Sequence, residues 1–486
     1  MRKVKLMLVV TILLELLITG LVFGVSSDIG KSQAQLEWQI SYSGEIGPGD
    51  YIPQGMFVDK KENIYLSTRY QVLTSNPPYW SMSNYSSLIK LDSGGNELWE
   101  IKYEDESVYT RIAFVDTDNK CNIYVGLFNR DTDETRIIKY DKIGNFIWEK
   151  TFAENYQNRV PPNIQIDKKG NIYLALSAII NDTTIRYIFI KAGPDGEILW
   201  QRNQDFPLSF IFPSKPLPLI APSPILEVDR WGNVVVVCSN EGEIVLTKYD
   251  ENGNVLWANS FEEEDYDFSL CDIAIGNSGN ICLSVTEYPN GVLLGGLRPI
   301  GQDANSLIIQ YESDGNMAFI LDQNMPHQAR LMIDKLDNIY LAGSTKPPFF
   351  KNSYNIVQKL DVEGDFQWSH ISTVLAPHPL SLPSNSYHTE LNEQTGNLYI
   401  VFKRSTGEKV LQKINSKGQV CYEKEFQGPD CLSGKLCALS SLSLIKDEKK
   451  SIYILETQGI SFGLGGTKSG YALSKFIEKK VKGKQK

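Results

Sequence analysis

The residues with the widest chemical reach near neutral pH are four histidines, His327, His370, His378 and His388. Two or three imidazoles would make a metal site, but no H-x-x-x-H register joins these four. They fall in Pro-rich connectors between repeated units, so no metal is expected. The run Glu262-Glu263-Glu264-Asp265-Tyr266-Asp267 reads as a charged strand start rather than a cation site. Turns such as Asp141–Gly144 lack the alternating ligands and closing Glu of a calcium loop, so their Asp and Gly serve the turn itself. No G-x-S-x-G, H-E-x-x-H or G-x-x-x-x-G-K-[ST] occurs. No residue is assigned to catalysis, no cofactor is expected, and the expectation is a protein that is not an enzyme. What remains is aromatic: Tyr79, Trp80, Phe206, Phe210, Phe212, Phe349 and Phe350 stand in loop segments, where they would line a binding face for a protein or glycan.

The elements that hold these loops are legible as repeats. A turn ending in Asn is followed by a short β-rich run at Asn63-Ile64-Tyr65-Leu66, Asn122-Ile123-Tyr124-Val125, Asn171-Ile172-Tyr173-Leu174 and Asn233-Val234-Val235-Val236. The phrase continues at Asn280-Ile281-Cys282-Leu283, Asn338-Ile339-Tyr340-Leu341 and Asn397-Leu398-Tyr399-Ile400, and a degenerate copy is Ser451-Ile452-Tyr453-Ile454. The interval averages about 55 residues. Each copy leads to a second phrase, clearest in Lys248-Tyr249-Asp250-Glu251-Asn252-Gly253-Asn254-Val255-Leu256-Trp257. Its Gly and aromatic recur as Gly95/Trp99, Gly144/Trp148, Gly196/Trp200, Gly315/Phe319, Gly364/Trp368 and Gly418/Tyr422. Lys opens it at Lys90, Lys139, Lys191, Lys248, Lys359, Lys413 and Lys475, and Gln310 stands in the fifth unit.

Gly and Asn tolerate the positive φ of tight hairpin turns. Each unit therefore reads as four antiparallel strands, and the whole as an all-β, eight-bladed β-propeller. The eighth unit lacks its last strand. Leu36-Glu37-Trp38-Gln39-Ile40 resembles Leu98-Trp99-Glu100-Ile101, so the N-terminal strand is expected to complete the eighth blade and close the ring. Domain bounds follow: 1–27 a signal peptide or membrane anchor, 28–35 a linker, 36–478 one propeller, 479–486 a basic tail. Tight turns share one face of the disc, and the other carries the long segments Gln201–Pro224, Ser369–His388, Thr68–Ser87, Glu287–Ser306 and Ser344–Tyr354. Long loops on a rigid scaffold are where binding concentrates.

Residues Met1-Arg2-Lys3-Val4-Lys5 precede an apolar stretch, Leu6–Val25, interrupted only by Glu15 among charged residues. A basic start before such a stretch signals export, by a cleaved signal or a retained helical anchor. The chain is expected outside the cytoplasm, secreted or anchored, and monomeric. Seven cysteines include no C-x-x-C, so neither a zinc ribbon nor a thioredoxin-type motif is present; Cys431 and Cys437 are spaced to close a small loop, and Cys282 reads as a buried apolar residue on a strand. A net charge of −10 argues against a nucleic-acid partner bound through a broad basic surface.

The phrases Asp-x-x-Gly-Asn-Ile-Tyr-Leu and Lys-Tyr-Asp-x-x-Gly-Asn-x-x-Trp resemble the β-propeller repeats of the SBBP type, and are similar to the tryptophan-docking motif of PQQ-like propellers. The resemblance spans residues 36–478 and implies the propeller fold. Within that group the quinoprotein dehydrogenases would imply a pyrroloquinoline quinone and a calcium ion at the ring centre, but their adjacent-cysteine ring is missing here. A scaffold like the outer-membrane assembly lipoprotein is the other implication, although this chain lacks a lipobox cysteine. The leading expectation is an exported, non-catalytic binding scaffold; the alternative is a quinone- or metal-dependent oxidoreductase or a lyase using the central channel.

Overall fold

The structure, a computed structural model, describes residues 32–480 apart from 44–48, 74–81, 104–109, 154–160, 182–183, 208–223, 241–242, 264–265, 290–304, 323–325, 345–354, 373–386, 405–407, 427–438, 447–450 and 459–469. The described residues form eight four-stranded antiparallel sheets.

The chain enters through β1 (Ser32–Ser43) and then builds blade one from β2 (Gly49–Val58), β3 (Ile64–Leu73), β4 (Met82–Leu91) and β5 (Glu97–Tyr103). Blade two is β6 (Thr110–Thr117), β7 (Ile123–Asn129), β8 (Glu134–Tyr140) and β9 (Phe146–Ala153). Blade three is β10 (Asn163–Ile166), β11 (Ile172–Asn181), β12 (Thr184–Ala192) and β13 (Ile198–Pro207). Blade four is β14 (Ile225–Val228), β15 (Val234–Asn240), β16 (Glu243–Tyr249) and β17 (Val255–Glu262). Blade five is β18 (Tyr266–Ile275), β19 (Ile281–Pro289), β20 (Asn305–Tyr311) and β21 (Met317–Leu321). Blade six is β22 (His327–Ile333), β23 (Ile339–Ser344), β24 (Asn355–Leu360) and β25 (Phe366–Ser372). Blade seven is β26 (Tyr387–Asn392), β27 (Asn397–Lys403), β28 (Lys409–Ile414) and β29 (Val420–Phe426). Blade eight is β30 (Leu439–Lys446), β31 (Ser451–Gln458) and β32 (Gly470–Lys480), and β1 supplies its fourth strand, with Trp38 opposite Lys475. The ring closes as the sequence implies, by pairing segments from its two ends. First strands of neighbouring blades touch, which places them at the ring centre.

Local chemistry explains the repeated turn. In blade one, Asp59 Oδ1 accepts the backbone N–H groups of Lys61 and Asn63, and Oδ2 accepts Asn63 Nδ2 at 2.7 Å and the Tyr65 hydroxyl at 3.1 Å. Asp118, Asp167 and Asp334 repeat the pattern with Tyr124, Tyr173 and Tyr340. These tyrosines are fully buried, and desolvation beside the carboxylate pushes each phenol up, so each remains a donor.

The second turn joins neighbouring blades. Lys139 Nζ and Trp148 Nε1 both donate to the carbonyl of Pro194, in the turn of the next blade, at 2.7 and 3.2 Å. Lys191 and Trp200 do the same to Glu251, Lys248 and Trp257 to Ser313, and Lys359 and Trp368 to Ser416. Lys475 and Trp38 close the circle on Ser93. The glycine of that turn must stay a glycine. At Gly253 φ is +78°, and a Cβ would lie 2.8 Å from the Trp200 ring. A register shift follows the lysine in this ladder, as at Lys139/Tyr140, adding local twist.

Carboxylates change source at the seam. Blade seven has Asn392 at its turn, and the partner of Tyr399, Tyr422 and Lys413 is Glu478 from β32 of blade eight, at 2.8–3.0 Å. Blade eight takes Glu62 from blade one, which accepts Tyr453 at 3.2 Å and Lys475 at 3.0 Å. Burial alone would lower the Lys475 ammonium, but its bonds to Glu62 and Glu37 outweigh that and raise it.

Candidate functional site

Antiparallel connectivity sorts the surface into two faces. Turns between first and second and between third and fourth strands share one face; second-to-third loops and blade connectors share the other. The tight turns are short and internally bonded, from Asp59/Asn63 to Asn415/Gln419. Strands encroach on the loop face further than the sequence suggested: β3 runs to Leu73, β13 to Pro207, β19 to Pro289 and β25 to Ser372.

That encroachment relocates several expected residues. Phe206 is not in a loop but near the end of β13, 8% exposed, edge-on to Tyr187 at 5.3 Å between ring centroids. It belongs to the core between blades three and four, so it offers a ligand little surface. Tyr79, Trp80, Phe210, Phe212, Phe349 and Phe350 lie outside the described residues. His327, His370 and His388 stand on β22, β25 and β26 rather than in connectors, because β25 runs on past Trp368 and the first strands β22 and β26 begin early enough to include them; His378 is outside the described residues. Burial lowers the His370 imidazole, and it lowers that of His388 to about 4, aided by neighbouring Arg330. Within the acidic run, Glu262 ends β17 and Tyr266 begins β18. Cys238 and Cys282 are buried on strands and carry no disulfide; Cys431 and Cys437 lie outside the described residues.

The described groups best placed for chemistry lie on the inner strands. Glu227 of β14 faces Gln165 of β10, whose Nε2 donates to the Leu226 carbonyl at 2.9 Å and which also bonds the carboxyl. Burial raises the Glu227 carboxyl to about 7, with nearby Asp272 adding to the rise. Asp272 of β18 is raised by burial as well, while accepting the Leu331 and Ile273 N–H groups at 2.8 and 3.0 Å. Arg330 of β22 donates to the Thr389 carbonyl at 2.9 Å, meets His388 Nε2 at 3.2 Å and lies 3.9 Å from Glu390. On β6, burial pushes Asp116 up to about 6. These groups form a crescent on the first strands of blades two to seven. A carboxyl near 7 exchanges protons at neutral pH, which is the property of an acid–base group. Among the described residues no three His, Cys, Asp or Glu side chains gather as metal ligands. Sequence reasoning passed over this crescent, because one polar residue in a four-residue strand looks like ordinary alternation. The available signal was positional: Asp116, Gln165 and Glu227 precede the turn aspartate by two residues, where blades one and six carry Phe57 and Met332.

No family model matches the chain, and no curated protein matches it. Solved structures do. A mutant of Synechocystis apocarotenoid oxygenase is 9% identical, covers 83% of this chain and 94% of its own, and has a TM-score of 0.39. Prolyl oligopeptidase B from Galerina marginata, bound to a 35mer hydrolysis and macrocyclization substrate, is 8% identical over 84% of this chain with a TM-score of 0.41. The chain matches 55% of that oligopeptidase's length. The expectation of a non-enzyme is corrected at this point: the similar structures are enzymes, and a β-propeller does not by itself establish a protein without catalysis. What the chain is shown to be is an all-β, eight-bladed propeller of four-stranded antiparallel blades.

Proposed function

We propose that the chain is an exported propeller of the SBBP and PQQ-like group that binds a protein or glycan partner through its long-loop face. One observation carries this reading: the described tight turns are short and self-bonded, whereas the strand ends that the long segments join all open on the other face. Kinship with that group is supported by the turn aspartates and by the tryptophans docked on neighbouring turns. Export is supported by the basic start and the apolar Leu6–Val25 stretch. The decisive measurement is binding to a glycan array and to captured partner protein by Trp80→Ala and by Phe349→Ala/Phe350→Ala. Roughly tenfold weaker binding at an unchanged melting temperature is expected for an aromatic anchor. Undiminished binding by both variants would remove the loop face as the site.

A second reading, acid–base chemistry of the lyase kind in the central channel, is favoured by the Glu227–Asp272 pair and the adjacent Arg330. If turnover is found, it should disappear in Glu227→Gln and persist in the loop variants.

A further inference from the structure

The tight-turn face bears a feature that the binding reading leaves unused. Where each outer strand leaves its turn, the side chains just before the aromatic are apolar and exposed. They run around the face: Leu36 in blade eight, Leu98 in blade one, Phe146 in blade two, Leu199 in blade three, Leu256 in blade four and Met317 in blade five, with Ile143 and Leu336 in turns 63% and 70% exposed. Exposed apolar residues scattered singly need no explanation, but a rim of them around one face does.

Charge singles out one arc of that rim. Lys60, Lys61, Lys120, Lys142, Lys168 and Lys169, in the turns of blades one to three, are all exposed, and so is Lys479 on β32. The turn aspartates among them are occupied by their own Asn and backbone N–H groups. Exposed Glu97 and Asp195 remain on the arc, and Glu197 pairs with Lys150 at 2.6 Å. Across the disc the balance turns acidic: the turns of blades five and six expose Glu312, Asp314, Glu363 and Asp365 against Lys335.

Strand direction places Ser32, the first described residue, at this arc. β1 pairs antiparallel with β32, Ser32 opposite Lys480 and Ser43 opposite Gly470, so Ser32 lies at the tight-turn end. β32 runs past Phe476, the position at which β4 ends in blade one, so residues 477–480 extend the ladder roughly 13 Å beyond the turns. Only Ser26–Lys31 separates Ser32 from the Leu6–Val25 stretch, a tether of at most about 20 Å. β32 ends with Lys479 and Lys480 at the same end.

We infer that the tight-turn face rests on an anionic lipid surface along the arc of blades eight, one, two and three, with the loop face turned away from it. The inference builds on the export reading, in the form where Leu6–Val25 stays in the bilayer. Apolar side chains enter the headgroup region while lysines above them meet lipid phosphate, each worth about a fivefold change in partitioning. A short tether makes the contact nearly intramolecular.

The test uses the full chain with phosphatidylcholine vesicles, with vesicles also containing phosphatidylglycerol, and in detergent. Flotation reports anchoring, and backbone hydrogen exchange reports contact. On the anionic vesicles, residues 141–147 and 167–170 should exchange several-fold more slowly than on the neutral ones, with 312–316 and 361–365 unchanged. Lys142→Glu/Lys168→Glu/Lys169→Glu and Ile143→Ser/Phe146→Ser should each abolish that protection without altering melting temperature. Equal exchange on both lipids in a chain that floats overturns the inference and leaves the anchor standing. A chain that floats only with anionic vesicles, with the arc protected, supports the lipid contact and removes the anchor. A chain that floats with neither removes both. Protection that appears in detergent and grows with protein concentration would assign the arc to a second copy instead.

Discussion

Blade two and blade five are built to one plan from different residues. In blade two, Asp118, Tyr124, Lys139 and Trp148 form one buried unit: the carboxylate takes the Tyr hydroxyl, the ammonium lies 4.8 Å over the Tyr ring, and Lys and Trp share the Pro194 carbonyl. In blade five the same positions are Gly276, Cys282, Gln310 and Phe319. All four changed. The reason is physical: a buried ammonium without its carboxylate, or a buried phenol without an acceptor, is worse than neither. The blade-five turn is instead held from outside, by Asp337 of blade six accepting the Asn277 and Ser278 N–H groups. A carboxylate at position 276 would collide with it, since a Cβ there would lie 2.7 Å from Asp337 Oδ1. Blade five carries a buried carboxylate on its inner strand, Asp272, as blades two and four do with Asp116 and Glu227.

Breaking the blade-two unit should have the largest effect. Asp118→Ala orphans the Tyr124 hydroxyl, the Asn122 amide and two backbone N–H groups, and leaves Lys139, already lowered by burial, with only the weaker pull of Asp195. The expected loss is about 3–5 kcal/mol, read from chemical denaturation. A loss below about 1 kcal/mol would mean the four residues are not a coupled unit.

This coupling is also why the ring was legible in the sequence and its centre was not. Residues that hold each other recur together, so Asp, Tyr, Lys, Gly and Trp announced eight units and the missing strand that β1 supplies. Glu478 could not be read this way, because it serves Tyr399 and Lys413 from the neighbouring blade, far along the chain. Phe206 looked like a loop residue because nothing in its local sequence shows β13 continuing to Pro207. The inner crescent varies from blade to blade, and what does not repeat leaves no pattern. Glu227 became visible only once Gln165, Asp272 and the stacking of inner strands were in place.

The inner-strand carboxylates sharpen the comparison through pH. The Glu227 carboxyl is raised from 4.5 to about 7, chiefly by burial and partly by Asp272. A raised pKa means the protonated form is favoured in the fold, so its contribution is present below about pH 4.5 and is lost as pH rises through 7. His388 acts in the opposite sense, since its lowered value contributes above 6.5 and is lost as pH falls through about 4. Comparing wild type with Glu227→Gln cancels the histidine. The stability difference between them should change by on the order of 2 kcal/mol from pH 5 to pH 8, with the variant gaining at the alkaline end. Urea midpoints across that range measure it, and a pH-independent difference would place Glu227 in solvent.

The smallest effect tests whether blade five lost its tryptophan as a consequence of losing the rest. In the other docked pairs the acceptor is the carbonyl two residues before the turn glycine, as Ser313 is to Gly315. Here that residue is Val362, before Gly364, and the Phe319 ring already lies where a Cβ on Gly364 would meet it at 2.8 Å. Phe319→Trp keeps that stacking and adds an indole N–H aimed at the Val362 carbonyl. The expected gain is about 1 kcal/mol, the net worth of one hydrogen bond. Trp257→Phe should lose a similar amount, although Lys248 still donates to the Ser313 carbonyl. If Phe319→Trp brings no gain while Trp257→Phe destabilises, the indole depends on the lysine beside it. The blade would then be a single unit down to its outermost strand, and Gln310, with no hydrogen-bond partner for its Oε1, would be the reason a tryptophan cannot return alone.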